Sequence, residues 1–556
     1  MAEARTQRVI VFLKDQAAFT QVQNHFTKFG SQNLMTQNNL WGAAPHALSQ
    51  VNGNIQTTLK SLNSVIVKIE NPSEIQKLRL NPAVEFVDEE IFHPAPKPVR
   101  GFAVVNKLSR NATHITGETT GEFVPNASTP WGINAVRAVE AWPLSRQGAG
   151  ARVLVLDTGI DKDHPSLKAN LEKGKSFVDP YGLAYDYFDD VGHGSHVAGT
   201  IVGVADSSGF TGVAPKAKLL MGKVCTPEGC SNLSVARGIE WGIQEKVDLV
   251  SMSLGGAQAT PTERRAVSKA AAAGITIVAA SGNDGIPQVS YPAALPTVIA
   301  VGAVNADLLK ADFSQWGPEL AVVAPGVDVV SSVPQGSGRT PVVQIQLGSS
   351  PVQTIPSSFI EGSKTILEPL NKEMIDVAYG RPEDFAKVAA SGKIALVKRG
   401  ENKFMDKIKA GLDAKVAGLV VYNNVPGLIH GAISNDGSEI EIPIFVIELS
   451  QGEMIKASLA SGNVAQTSLL VQKSNYSSFD GTSMATPHVA GVVALMKATN
   501  KQLTPAQVKA ILTSTAKRLT PNTENEVGAG IVQADAAVEK ATHPDVLNLP
   551  LGANLN

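Results

Sequence analysis

Ala151-Arg152-Val153-Leu154-Val155-Leu156 is an almost unbroken apolar run that stops at Asp157-Thr158-Gly159. A strand with one wet face would alternate apolar and polar residues. This run instead suits a strand buried on both faces of a parallel sheet. Strand-like runs recur at Lys218–Val224, Val247–Ser253, Ile275–Ala280 and Val298–Val304, with helical stretches between them. The alternation predicts an α/β fold on a doubly wound, mostly parallel sheet. Sites in such folds gather at the carboxyl ends of the strands, which is where Asp157 stands.

At 556 residues the chain exceeds what one hydrophobic core serves, and two to four domains are expected. Residues 6–95 read as a small unit. Arg8–Leu13 is a strand, and Phe19, Val22, Phe26 and Phe29 recur at helical spacing. Ser64–Ile69 is a second strand, Asn71-Pro72 opens a second helix, and Asn81-Pro82 ends it before the strand Val84–Val87. That order predicts a ferredoxin-like α+β sandwich. From Pro94 the texture changes, and 96–130 reads as an exposed linker open to proteolysis.

The strand–helix alternation breaks again near Gln335-Gly336-Ser337-Gly338. Within 336–475, Gly392–Gly400 is a strand and turn, Phe404, Ile408 and Leu412 form a helical stripe, and Gly418–Asn424 and Ile442–Ile447 are strands. This segment reads as a separate β-rich α/β domain inserted into the first. Residues 544–556 look like a loose tail.

Composition narrows the function classes. A formal net charge of −2 argues against a generic nucleic-acid binder. No apolar run approaches the ~20 residues that cross a bilayer, so no membrane association is expected. Met1–Arg5 lacks the pattern of a secretory signal, which leaves an intracellular protein or one whose signal has been replaced. Cys225 and Cys230 flank the turn-forming Thr-Pro-Glu-Gly, as a local disulfide if the protein is exported or as two free thiols otherwise.

The residues that carry chemistry lie in four segments. Gly481–Gly491 places Ser483 ahead of an apolar helix over 489–496, where unpaired N–H groups favour developing negative charge. A bare serine is a weak nucleophile and needs a base, and the base needs an orienting group. His193 begins a small-residue helix in Gly192–Thr200, Asp157 ends a buried strand, and Asn283 follows another in Ala279–Gly285. Ser483 would attack a carbonyl, His193 take and return the proton, and Asp157 fix the histidine tautomer. The Asn283 amide and the Ser483 N–H would hold the oxyanion.

Asp157-Thr158-Gly159, His193–Gly199, Ser281-Gly282-Asn283 and Gly481–Ala485, in that order, resemble the four signatures of the subtilisin-like serine proteases. The resemblance covers roughly 131–335 and 476–540. It implies that 1–95 is an inhibitory propeptide that assists folding. It also implies that 336–475 is a protease-associated (PA) domain, with a good match over 392–447 and a poor one over 340–390. The peptidase domain would then be discontinuous, 131–335 with 476–543. Ser253-Leu254-Gly255-Gly256 resembles the strand edge that pairs with substrate, facing Ala280-Ser281-Gly282 across the specificity pocket. Small residues on both walls leave room for a large apolar side chain, or serve only close packing.

The family's calcium loop falls at Val204–Phe210, with Val204, Asp206, Ser208 and Phe210 as candidate ligands. Its main bidentate aspartate falls at Ser166 and its amide ligand near Ala127, so a weak or absent site is expected, with calcium at most a structural ion. The usual autocleavage point falls near Pro96, a poor neighbour for a scissile bond, which moves the expected cut elsewhere into 97–130.

Plainer readings apply to other residues. Asp161 and Asp163 suit a solvated turn, and His196 and His488 suit packing or supporting hydrogen bonds. The Glu401–Lys415 charges suit the wet face of one helix. Asn111, Asn126, Asn232 and Asn475 head glycosylation-type triplets that are common by chance. The expectation is a secreted, extracellular or periplasmic serine endopeptidase made as a zymogen. It would need no cofactor, act on proteins or peptides as a monomer, and take its own propeptide as inhibitor. The rival is a latent protein-binding module that keeps its propeptide, and a third option is an esterase or ligase on the same triad.

Overall fold

The computed structural model describes residues 7–29, 53–69, 71–95, 99–101, 129–178, 186–205, 209–360, 362–425, 428, 433 and 439–543. The N-terminal unit runs β1 (Gln7–Leu13), α1 (Gln16–Phe29), β2 (Gly53–Leu59), β3 (Ser64–Ile69), α2 (Ser73–Arg79) and β4 (Val84–Glu89). Its strands form an antiparallel sheet in the order β2-β3-β1-β4. Successive side chains on β1 point to opposite faces, and both faces are buried, which explains the continuous apolar run. Val9 and Val11 pack with Phe19, Ile75 and Leu78 of this unit. Ile10, Phe12 and Ile66 instead join a core shared with the main domain. Gly53–Leu59 is largely polar, so no apolar pattern marks β2 in the sequence. Two short strands follow, β5 (Phe92–His93) and β6 (Val99–Gly101).

The main domain continues with β7 (Arg152–Asp157), β8 (Leu171–Ser176), α3 (His193–Val202), β9 (Lys218–Lys223), β10 (Cys225–Thr226) and β11 (Gly229–Ser231). Then come α4 (Asn232–Glu245), β12 (Leu249–Met252), α5 (Pro261–Ala272), β13 (Thr276–Ala280), β14 (Val298–Val304), β15 (Leu320–Pro325) and β16 (Val329–Ser332). Seven strands form a parallel sheet in the order β15-β14-β13-β12-β7-β9-β8. The doubly wound α/β expectation is met. After β7 the chain builds outward through β8 and β9 on one side, then through β12 to β15 on the other. In such sheets the site lies in a crevice at the carboxyl ends where the direction reverses, here between β7 and β12.

Late in the chain β17 (Tyr476–Asp480) leads into α6 (Thr482–Thr499). This helix is buried almost end to end, as its all-round apolar sequence requires. It starts before the expected residue 489, so Ser483 sits inside its first turn rather than ahead of it. Pro487 lies within the helix and has no N–H, which releases the carbonyl of Ser483 from the helical ladder.

Residues 338–474 hold an eight-stranded mixed sheet. Gly338–Leu347 and Ala465–Ser474 pair along their whole length, Gly338 opposite Ser474, so the segment leaves and returns through one ribbon. Ile394–Lys398, Phe404–Asp413 and Gly418–Tyr422 form a strand–helix–strand unit, with Ile444–Ile447 beside it. The 340–390 stretch supplies further strands to the same sheet. One expectation fails here. Lys407 does not lie on a wet face: its ammonium is buried and donates to the carbonyls of Tyr379 and Gly400, and burial pulls its pKa down to about 8.

Candidate active site

Asp157 closes β7, and Oδ1 of its carboxylate stands 2.8 Å from Nδ1 of His193 in the first turn of α3. Both side chains are buried. The same Oδ1 accepts from the Thr158 N–H at 2.7 Å, while Oδ2 has no hydrogen-bond partner.

What orients α3 is a residue outside the four sequence motifs. Asp189 is buried and accepts from the Thr158 hydroxyl (2.8 Å) and the N–H groups of Val191 (3.2 Å), Gly192 (2.8 Å) and Ser195 (2.7 Å). Thr158 in turn accepts from the Gly194 N–H at 2.9 Å. One carboxylate thus ties the end of β7 to the start of α3. Burial raises the Asp189 pKa, against the hydrogen bonds that lower it. The available signal was an acidic residue four positions ahead of His193, where a helix N-terminus attracts negative charge.

Ser483 lies across the crevice, on a helix packed against α3. Its hydroxyl donates to the Ser253 carbonyl at 3.2 Å, and the Ser253 hydroxyl donates to the Ser483 carbonyl at 2.8 Å. The second bond satisfies the acceptor that Pro487 leaves open. Among the described residues, no hydrogen bond joins Ser483 Oγ to His193.

Asn283 Oδ1 accepts from both the N–H and the hydroxyl of Thr482, each at 2.9 Å. A backbone N–H can only donate, so this contact assigns the amide orientation and leaves Nδ2 as the donor. Gly282 supports the turn with φ +110°, and a Cβ there would lie 2.0 Å from Gln315 Oε1. Across the pocket, a Cβ at Gly255 would lie 2.6 Å from the Tyr291 carbonyl. Close packing therefore demands glycine at both positions. Ser253, Leu254, Ala280 and Ser281 are buried, and Gly256 pairs with Tyr291.

His196 donates from Nε2 to the Val329 carbonyl (2.9 Å) and stacks on Phe479; His488 donates from Nδ1 to the Met484 carbonyl (2.9 Å). Burial lowers their pKa values to about 3 and about 4, with the His193 charge adding to the first. Asp161 is not in a solvated turn. It is buried and accepts from the Gln335 N–H at 2.9 Å. Asn232 is buried as well, bonded to Ile91 and Glu89.

Of the calcium candidates, Asp206 and Ser208 lie outside the described residues. Phe210 is buried against Tyr476, and the Val204 N–H donates to the Ser166 carbonyl. The Ser166 hydroxyl is engaged with the Tyr476 hydroxyl at 2.6 Å. The one carboxylate of the set, Asp206, thus lies outside the described residues.

Cys225 and Cys230 are joined by a disulfide that closes the β10–β11 hairpin. The N-terminal segment meets this region twice. β5 pairs with β11, placing His93 opposite Cys230, and β6 pairs with β17, placing Val99 opposite Asp480. Asp480 is three positions before Ser483.

Comparison with known proteins bears on this site. The Subtilase family profile matches residues 148–356 and 415–530, and the PA domain profile matches 362–455. The chain is 41% identical over 218 residues to the intracellular serine protease of Paenibacillus polymyxa, covering 38% of this chain and 67% of that protein. It is 35% identical over 295 residues to subtilisin E of Bacillus subtilis (strain 168), covering 52% and 68%. Among solved structures, the psychrophilic subtilisin-like protease Apa1 of the Antarctic psychrotroph Pseudoalteromonas sp. AS-11 superposes with a TM-score of 0.59. That match has 29% identity and covers 75% of this chain and 99% of the other.

Proposed function

The chain belongs to the subtilase family and is a subtilisin-like serine peptidase, and from this premise we propose that Asp157, His193 and Ser483 act as its triad in a zymogen. The observation that carries the reading is the 2.8 Å contact between His193 Nδ1 and Asp157 in a crevice that also holds Ser483.

In this mechanism Ser483 Oγ turns from the Ser253 carbonyl to His193 Nε2, gives up its proton and bonds to the substrate carbonyl carbon. The carbonyl π electrons move onto oxygen, where Asn283 Nδ2–H and the Ser483 N–H donate to it. The intermediate collapses, the C–N bond breaks, and His193 returns the proton to the leaving amine. Water then repeats the steps on the acyl-enzyme and restores Ser483. Asp157 holds Nδ1–H and stabilises the imidazolium without taking its proton. No metal or organic cofactor enters any step.

Substrate protein would add as a strand along β11 and along Ser253–Gly256, in the manner of β-augmentation. The pairing of β5 with β11 supports reading 1–95 as an inhibitor that occupies this track, with processing in 97–130. We read 131–335 with 476–543 as the peptidase domain and 336–475 as an inserted PA domain. The disulfide supports a destination outside the reducing cytosol. Among the described residues no helix is long and apolar enough to cross a membrane.

The test is the full-length chain with Ser483→Ala. Wild type should cleave itself, hydrolyse casein and react with a fluorophosphonate, while the variant stays one intact band. In subtilisin itself the serine is worth about 10⁶ in turnover. Processing that continues unchanged in the variant defeats the reading.

A further inference from the structure

His93 ends β5, and its imidazole is nearly enclosed. Its Nε2 stands 2.6 Å from Oε1 of Glu263, and the two side chains are 5% and 2% exposed. The other Glu263 oxygen accepts from the Thr260 N–H at 2.9 Å, in the capping box that starts α5. The ring lies flush on Gly256, where a Cβ would approach Nδ1 to 2.3 Å. His93 is also the residue paired with Cys230 on β11. A segment laid along the cleft as a strand therefore drops one side chain into a socket with a buried carboxylate at its floor.

The geometry points to Glu263 as a specificity-determining residue: the peptidase selects a basic side chain, histidine, lysine or arginine, at the substrate position that replaces His93. This rests on the protease reading above. Once the N-terminal segment leaves, Glu263 Oε1 loses its partner. A buried carboxylate without a donor is costly, and a site built to hydrogen-bond discriminates against residues that bring none. Apolar residues at this position leave the charge unpaired, and acidic ones set two negative charges against each other. Gly256 keeps the socket open, since any side chain there would occupy the ring's place. In the family register, whose usual scissile bond follows position 96, a substrate residue in the place of His93 stands four residues upstream of the cut bond, although this chain's own processing is read in 97–130.

The experiment uses processed enzyme and internally quenched peptides that differ only at the fourth residue upstream of the cleaved bond. The kcat/KM ratio of the histidine, lysine and arginine peptides over the leucine peptide should be at least about tenfold, the scale of one charge-assisted hydrogen bond. The glutamate peptide should be the poorest. Glu263→Gln keeps an oxygen for the Thr260 N–H and should bring the lysine-to-leucine ratio toward one. Indifference to this position, or a preference for leucine, while cleavage still depends on Ser483, overturns the socket and leaves the protease reading standing. A lysine-to-leucine ratio that survives in Glu263→Gln also overturns it. No Ser483-dependent cleavage of any peptide overturns both.

Discussion

Ser253 and Ser483 exchange hydrogen bonds: the Ser483 hydroxyl reaches the Ser253 carbonyl at 3.2 Å, and the Ser253 hydroxyl reaches the Ser483 carbonyl at 2.8 Å. The second bond exists because Pro487 cannot supply the helical donor that the Ser483 carbonyl would otherwise have. Ser253→Ala should leave that buried carbonyl unsatisfied and cost about 1–3 kcal/mol of stability. Urea unfolding of the inactive Ser483→Ala background isolates the effect from self-digestion. A variant as stable as its parent would show that the carbonyl finds another donor.

Asn283 is held through its oxygen by Thr482, leaving Nδ2 as the available donor. Asn283→Ala should lower kcat by about 10²–10³ with little change in KM, since the bond strengthens only when the oxyanion forms. Steady-state kinetics on a peptide amide decide it. A rise in KM with kcat intact would make Asn283 a binding residue instead.

Asp189 satisfies four donors between β7 and α3, so Asp189→Asn presents an amide where N–H groups point. The expected result is a stability loss of about 1–3 kcal/mol together with slower turnover, as His193 loses its anchor. Thermal unfolding and kcat measured on the same preparation should fall together.

Acid should destabilise this protein through two buried histidines. The unfolded chain takes up protons near pH 6.5, while folded His196 and His488 stay neutral until about pH 3 and about pH 4. Between those limits the unfolded state binds more protons, so stability drops as pH falls from about 6.5 toward 4. Each histidine adds a slope of up to about 1.4 kcal/mol per pH unit. His488→Gln should flatten the dependence of the urea midpoint on pH, and an unchanged slope would rule out its part.

Asp88 accepts from the Thr262 N–H (3.0 Å) and hydroxyl (2.6 Å), so a carboxylate from the N-terminal unit meets the first turn of α5. Arg265 on the same helix pairs with Glu85 at 2.7 Å and covers the ring of Phe12. Asp88→Ala should weaken the hold of this unit by about tenfold and shorten the lag before proteolysis appears. A lag equal to wild type would place the hold in the apolar contacts of Ile10, Phe12 and Ile66.

Local chemistry was legible where it depends on neighbours along the chain. The run Val153–Leu156 announced a doubly buried strand, the small residues around His193 and Ser483 announced helix starts, and Asn283 stood directly after another strand. Gly53–Leu59 gave no such sign, because its strand is held by pairing with β3 rather than by its own apolar residues. Lys407 and Asp161 looked like surface residues for the same reason: the partners that satisfy them lie far away in sequence or within folded turns.

The sequence by itself determined the class of fold and the four motifs, since periodicity and turn chemistry act over a few residues. Only the tertiary structure decided which atoms meet. It set Asp189 under α3, Ser253 against Ser483, and His93 on Glu263, contacts that join residues from 6 to 230 positions apart. Such pairs form because the sheet brings strand ends together, and burial then forces every polar atom there to find a partner.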